Sequence, residues 1–318
     1  RKVAVLGAGV MGAQIAAHLV NVRVPVVLFD LPDSKTPNKN GIVSRAVDQL
    51  RKLKPSPLGV SGDAELIQQA NYEEHMGLLG ECDLVIEAIA ERMDWKRDLY
   101  EKIAPHVAPH AILASNTSGL SITALSDALP EQLRHRFCGI HFFNPPRYMT
   151  LVELIPTPST DAKVLDDLEE FATTALGKGV VRAKDTPNFV ANRIGVAGMM
   201  STMKEAERFG LTFDVVDDLT GKRLGRASSG TFRTADVVGL DTLAHVIKTM
   251  QDTLSEKTDP FYGSFGTPDV LKTLIEMGNL GQKTKAGFFK KVGRDVMRFD
   301  LASKDYVAAG QKADEVYG

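Results

Sequence analysis

The stretch from Arg1 to Asp30 constrains the chain more than any other. Apolar Val3-Ala4-Val5-Leu6 leads into Gly7-Ala8-Gly9-Val10-Met11-Gly12, and an amphipathic segment from Met11 to Val20 follows. That order predicts a strand, a tight turn and a helix. Gly7 permits the turn, Gly9 lets the backbone approach a pyrophosphate, and Gly12 lets helix and strand pack closely. A phosphate would then sit on the helix N-terminus against the backbone of Gly7, Gly9, Val10, Met11 and Gly12. Pro25 opens a second apolar run, Val26-Val27-Leu28-Phe29, which ends in Asp30. An acid about 20 residues beyond such glycines binds the ribose hydroxyls of a dinucleotide and repels a 2′-phosphate, so NAD rather than NADP is the expected cofactor.

A chain of 318 residues exceeds what one core usually supports, and two domains of about 100 to 200 residues are expected. No apolar run approaches the ~20 residues of a membrane span, and Arg1 to Leu6 is strand-like rather than a signal peptide, so a soluble, cytoplasmic protein is expected. The two cysteines, Cys82 and Cys138, lie beside apolar strand-like runs and read as buried thiols in a reducing compartment. A net charge of -2 gives no general pull toward nucleic acid. The chain starts without Met and stops without an evident terminal cap, which suggests a piece of a longer protein.

After Asp30, apolar spacing predicts a helix over Ile42 to Leu53. Lys39, Arg45, Arg51, Lys52 and Lys54 outnumber Asp48 around it, which fits either a solvated face or a site for a polyphosphate ligand. Leu84 to Ile89 is an apolar strand interrupted by one acid, Glu87, and a helix follows over Asp94 to Ile103. The next strand, Ala111 to Ala114, ends in Ser115-Asn116-Thr117-Ser118-Gly119, at the strand end where open α/β sheets bind ligands. Phe137 to Phe142 and Leu151 to Ile155 are further strands, and Asp161 to Leu176 a further helix. Beyond Pro187 helical periodicity dominates, over Phe189 to Phe209, Phe213 to Leu224, Asp236 to Leu254 and Pro268 to Met277. The expected fold is therefore α/β, a Rossmann-type doubly wound, mostly parallel sheet followed by an all-α helical domain. The domains are expected at 1–186, binding NAD, and 187–318, a helical domain for substrate or dimerisation with a C-terminal extension.

Glu153 stands in a strand of aliphatic neighbours, and a carboxylate buried there needs a partner. His141, at the end of a nearby strand, is the candidate. A hydrogen bond from one imidazole nitrogen to Glu153 would leave the other free to take a proton, while the spacing alone also fits a purely structural pair or two residues that never meet. His106 and His110 have helical spacing, but Pro105 and Pro109 oppose a shared metal-binding face, and no metal is expected.

Ser115-Asn116-Thr117-Ser118, His141-Phe142-Phe143-Asn144-Pro145, Leu151-Val152-Glu153 and Asp185-Thr186-Pro187-Asn188-Phe189-Val190-Ala191-Asn192-Arg193 closely resemble, in order, the motifs of the NAD-dependent (S)-3-hydroxyacyl-CoA dehydrogenases of fatty acid β-oxidation. The resemblance implies His141 as general base with Glu153 as partner, Ser118 at the substrate 3-hydroxyl or the nicotinamide, and Asn192 orienting the substrate. It also implies that the Glu91 to Lys96 segment, Asn144 and Lys283 line the cofactor and CoA sites, and that the basic helix at Arg45 to Lys54 meets CoA phosphates. An acyl-CoA substrate held between the domains would be oxidised to 3-ketoacyl-CoA with formation of NADH. Compact members are dimers through the helical domain, so a homodimer, or fusion to other β-oxidation domains, is implied. The loop from Ser118 to His141 is longer than in those members, the helix after Asp30 matches them poorly, and the tail after Phe289 runs past their usual end. The similar 3-hydroxyisobutyrate and 6-phosphogluconate type relies on a catalytic Lys instead. A non-catalytic NAD-binding or scaffolding module of a multifunctional protein is the alternative reading, against which intact Ser118, His141, Glu153 and Asn192 argue.

Overall fold

The computed structural model describes residues 1–317, and the side chain of Tyr317 is left aside. The chain forms two compact units, Arg1–Val190 and the remainder from Ala191. The division falls at Val190 rather than at Thr186 because Phe189, 2% exposed, packs into the same core as Ile122 and Phe137.

The first unit is an eight-stranded sheet. In chain order its elements are β1 (Val3–Leu6), α1 (Val10–Asn21), β2 (Val26–Asp30), α2 (Gly41–Leu50), β3 (Ile67–Asn71), β4 (Leu84–Glu87), α3 (Met93–Ile103), β5 (Ile112–Ser115), α4 (Ile122–Asp127), α5 (Glu131–Arg134), β6 (Phe137–Phe142), β7 (Leu151–Pro156), α6 (Ala162–Glu170) and β8 (Gly179–Arg182). The strand order is β3-β2-β1-β4-β5-β6-β7-β8, with all neighbours parallel except β6 and β7. Along β1, Val3 and Val5 enter one core while Ala4 and Leu6 enter the other. Both faces are thus covered, which is why the central strands are continuously apolar. The chain crosses from β1 to β2 on one side and returns to β4 on the other, so the carboxyl ends of β1 and β4 flank a topological switch point.

The second unit is built on α7 (Ala191–Arg208), α8 (Phe213–Thr220), α9 (Phe232–Val238), α10 (Leu240–Thr253) and α11 (Asp269–Glu276). The helix expected over 236–254 is divided at Gly239, whose φ of 97° ends α9. In the C-terminal extension, β9 (Phe289–Val292), β10 (Asp295–Asp300) and β11 (Asp305–Ala308) form an antiparallel sheet ahead of α12 (Ala313–Tyr317), which helical period did not anticipate. Phe299 of β10 is 1% exposed in the core shared with Phe232 and Phe265.

Candidate functional site

Each glycine of the first turn has a separate steric reason. Gly7 has φ 104°, where a Cβ would also lie 2.8 Å from Ala88 O. A Cβ on Gly12 would overlap Gly7 O, so α1 can lie against β1 only with glycine there. Around Gly9, by contrast, a Cβ would find nothing within 4 Å. Gly9 is also the N-cap of α1 and supplies no side-chain cap, so the first-turn N–H groups face open space beside the exposed Val10. Asp30 ends β2 and accepts hydrogen bonds from Ala8 N (2.6 Å) and Leu31 N (2.7 Å). A cleft of about 410 Å³ opens there, lined by Gly7, Gly9, Asp30, Leu31, Ile89 and Trp95 among others. Open backbone donors at a helix N-terminus, an acid at the end of β2 and an apolar slot together fit an adenine dinucleotide.

His141 and Glu153 face each other across β6 and β7. They are register partners in the one antiparallel pair of the sheet, so both side chains leave it on the same face. His141 Nδ1 lies 2.7 Å from Glu153 Oε2, with His141 4% and Glu153 0% exposed. Ionised Glu153 can only accept, so Nδ1 carries the proton and Nε2 is left basic. Glu153 Oε1 accepts Val190 N (3.0 Å). The imidazole is flanked by the Phe143 ring (4.4 Å) and the Phe189 ring (5.6 Å). Asn188 and Phe189 both have left-handed backbones, φ 57° and 53°. Such strain in an aromatic residue persists only where packing holds it, here over the imidazole. The roles of Phe143, Phe189 and Val190 were not read from the sequence, and no local pattern announces a left-handed Phe.

Glu91 organises the turn after β5. It accepts from Thr117 Oγ1 (2.8 and 2.7 Å), Ser118 N (2.7 Å), Ser118 Oγ (3.2 Å) and Gly119 N (3.2 Å). Lys96 is 1% exposed, with Nζ 2.6 Å from Glu87 Oε1 and 3.8 Å from Glu91 Oε2. Glu87, fully buried, also accepts from Ser115 Oγ (2.7 Å), Tyr100 OH (3.1 Å) and Ile89 N (2.7 Å). Asn144 Oδ1 accepts from Gln14 Nε2 (3.1 Å), and Asn116 Oδ1 accepts from Phe142 N (3.0 Å). In the second unit, Asn192 lies in the first turn of α7, and Lys283 Nζ is 2.5 Å from Asp241. The basic run is partly neutralised, since Arg45 pairs with Asp33 (2.6 Å) and Arg51 lies 3.3 Å from Asp48 and 3.5 Å from Glu65. Among the described residues no group of three or more His, Cys, Asp or Glu could hold a metal ion, and no helix is long and apolar enough to cross a membrane.

Comparison with known proteins bears on this geometry. Residues 2–186 match the profile of the 3-hydroxyacyl-CoA dehydrogenase, NAD binding domain, and residues 189–291 that of the 3-hydroxyacyl-CoA dehydrogenase, C-terminal domain. A probable 3-hydroxyacyl-CoA dehydrogenase of Deinococcus radiodurans is 44% identical over 92% of this chain and 83% of its own length. A putative fatty acid oxidation complex trifunctional enzyme of Rickettsia prowazekii is 37% identical over 91% of this chain, which spans only 40% of that protein. The crystal structure of M. tuberculosis FadB2 superposes with a TM-score of 0.74 at 31% identity, over 91% of this chain and 98% of that one. With both halves of one family's pattern matched in sequence, the chain belongs to the 3-hydroxyacyl-CoA dehydrogenases, NAD-dependent oxidoreductases of fatty acid oxidation.

Proposed function

We propose that His141 is the general base of the oxidation of (S)-3-hydroxyacyl-CoA to 3-ketoacyl-CoA, and that Glu153 orients it. The observation carrying this reading is the buried 2.7 Å contact between His141 Nδ1 and Glu153 Oε2. Nε2 takes the proton of the substrate 3-hydroxyl, and Glu153 stabilises the imidazolium that forms. NAD, when bound, would supply the acceptor for the hydride that leaves C3 of the substrate. Asp30 would hold the ribose hydroxyls, and the backbone of Gly7, Gly9, Val10, Met11 and Gly12 the pyrophosphate. Phe143 and Phe189 keep water from the imidazole, which strengthens its interaction with Glu153. Ser118, held by Glu91, contacts the substrate hydroxyl or the nicotinamide. Asn192 orients the substrate, and Glu91, Lys96, Asn144 and Lys283 complete the cofactor contacts.

The test is NADH consumption with acetoacetyl-CoA, followed by absorbance. Turnover in the wild-type chain and its loss in folded His141→Ala are expected; a folded chain without turnover supports the non-catalytic reading instead. Association of a second copy through the helical domain fits the exposed Ile194, Phe209, Val237 and Phe261 of that unit. A dimer mass in light scattering is expected, and a monomer removes this part alone. A cytoplasmic location is proposed on the bacterial relatives and is checked by cell fractionation.

A further inference from the structure

The connection from β6 to β7 covers residues 143–150 and includes Asn144-Pro145-Pro146. Two successive prolines supply no N–H, so this stretch has more carbonyls than donors of its own. Pro145 O takes both Tyr148 N (2.9 Å) and Met149 N (3.0 Å), which leaves Pro146 O and Met149 O to find donors elsewhere. Lys178 supplies them, for its ammonium donates to Pro146 O and, at 2.8 Å, to Met149 O. Gly179 is the register partner of Leu151, and Gly179 N donates to Thr150 O (2.9 Å), so the start of β8 sets Lys178 level with the connection. Lys178 is 6% exposed, and among the described residues no carboxylate lies in salt-bridge range of it. A buried ammonium without an acid costs free energy. What it gains here is a fixed connection.

We propose that Lys178 is a positioning residue, which clamps this connection and through it the amide of Asn144. The inference rests on the reading of Asn144 as a cofactor contact. Asn144 is exposed, and its Oδ1 accepts from Nε2 of the buried Gln14 in α1 (3.1 Å). That leaves the Nδ2 protons as its free donors toward a ligand. Gln14 thus sets which end of the amide is free, and Lys178 holds the backbone that places it.

Lys178→Met removes both donors and strands no anion, so the single variant is informative. Lys178→Gln keeps a donor without the charge and carries the same test where Met does not fold. Trp95, the one tryptophan of the chain, lines the dinucleotide cleft, so NADH binding is read directly from its quenching. In Lys178→Met the NADH Kd and the KM for NADH are expected to rise by about tenfold, with the KM for acetoacetyl-CoA within about threefold of wild type. In Lys178→Gln the rise is expected to be about threefold or more. Asn144→Ala should match Lys178→Met, and adding it to that variant should cost less than about threefold more, because both remove the same contact. A folded Lys178→Met or Lys178→Gln chain that binds NADH as tightly as wild type makes the clamp structural only and overturns the proposal. So do losses that multiply with Asn144→Ala, which separate Lys178 from the amide. A KM for acetoacetyl-CoA that rises in step with that for NADH overturns it too, since general loosening of the fold gives that pattern. Unchanged NADH affinity in Asn144→Ala alone strikes the reading of Asn144 as a cofactor contact. A loss there that neither Lys178 variant reproduces strikes the proposal alone.

Discussion

At Glu153 the carboxylate does two jobs with its two oxygens, one on His141 Nδ1 and one on Val190 N. An amide in its place keeps the shape and can still accept from Val190 N. Its NH2 group would then face Nδ1 as a donor, which pulls the imidazole into the tautomer with its proton on Nε2 and silences the base. Glu153→Gln should therefore lower kcat by ~10² or more with little change in the KM for acyl-CoA. His141→Ala should be at least as damaging, and the double variant should lose far less than the product of the two. Near-normal turnover in folded Glu153→Gln, or strictly multiplicative losses, rejects the coupled pair. Asp30 invites a second residue-level test, because its carboxylate lines the dinucleotide cleft while tied to Ala8 N and Leu31 N. We predict that kcat/KM favours NAD over NADP by more than about tenfold, and that Asp30→Ala narrows the gap. Similar values for the two cofactors in wild type would sink the assignment.

The strand, turn and helix of β1 and α1 act as one element, and its glycines separate fold from function. At Gly12 a Cβ would drive α1 off Gly7 O, so Gly12→Ala should destabilise by ~1–3 kcal/mol and weaken NADH binding together. At Gly9 the added methyl meets no protein atom within 4 Å, but it stands where the proposed site brings the pyrophosphate close. Gly9→Ala should thus keep its melting temperature and lose NADH affinity by about tenfold or more. Thermal melts beside Trp95 quenching decide it, and parallel losses in both variants would remove the distinction. Elements covered on both faces were legible in the sequence because burial leaves them continuously apolar, as in β1, β4 and β5. β3 was not, since it is an edge strand in which Gln68 and Gln69 interrupt the pattern. The β9 to β11 sheet escaped for the same reason, with Lys290, Lys291 and Asp295 exposed and little but Phe289 and Phe299 turned inward. At the site, a lone acid among aliphatics announced that Glu153 needed a partner, but the antiparallel register that supplies it belongs to the sheet and not to either strand. Glu87 gave the same signal, an acid inside an apolar run, while its cation Lys96 lies beyond a loop on the next helix, out of reach of any local pattern.

Across the whole molecule the two units should respond to acid in opposite directions. His18 in α1 is 7% exposed; its Nε2 bonds Leu176 O (3.1 Å), and Nδ1 finds no partner among the described residues. Burial first, then the nearby Lys178, lowers its pKa from 6.5 to about 4. Below pH 6.5 the unfolded chain takes up a proton that the folded first unit refuses, so stability falls as the pH drops, by about 2 kcal/mol between pH 7.5 and 5. In the second unit Asp217 accepts Thr231 N (2.8 Å), Phe232 N (2.6 Å) and Arg233 N (3.0 Å), and Asp236 accepts Phe288 N (2.8 Å) and Phe289 N (2.9 Å). Burial outweighs those bonds and pushes both carboxyls up to about 6, above the ordinary 3.8. Their folded state holds a proton that the unfolded state has released, so each adds stability below pH 6 and loses it as the pH rises, by about 1 kcal/mol over the same interval. Asp214 is held below the usual carboxylate range and titrates outside that window. Trp95 lies in the first unit, so urea unfolding followed by its fluorescence reports that unit, while far-ultraviolet circular dichroism also reports the helices of the second. From pH 7.5 to 5 the fluorescence midpoint should fall, and His18→Gln should flatten the fall. The dichroism midpoint should rise relative to it, and Asp217→Asn with Asp236→Asn should abolish that rise. A fluorescence midpoint as steep in His18→Gln as in wild type would show that the buried imidazole is not the group that makes the first unit acid-sensitive.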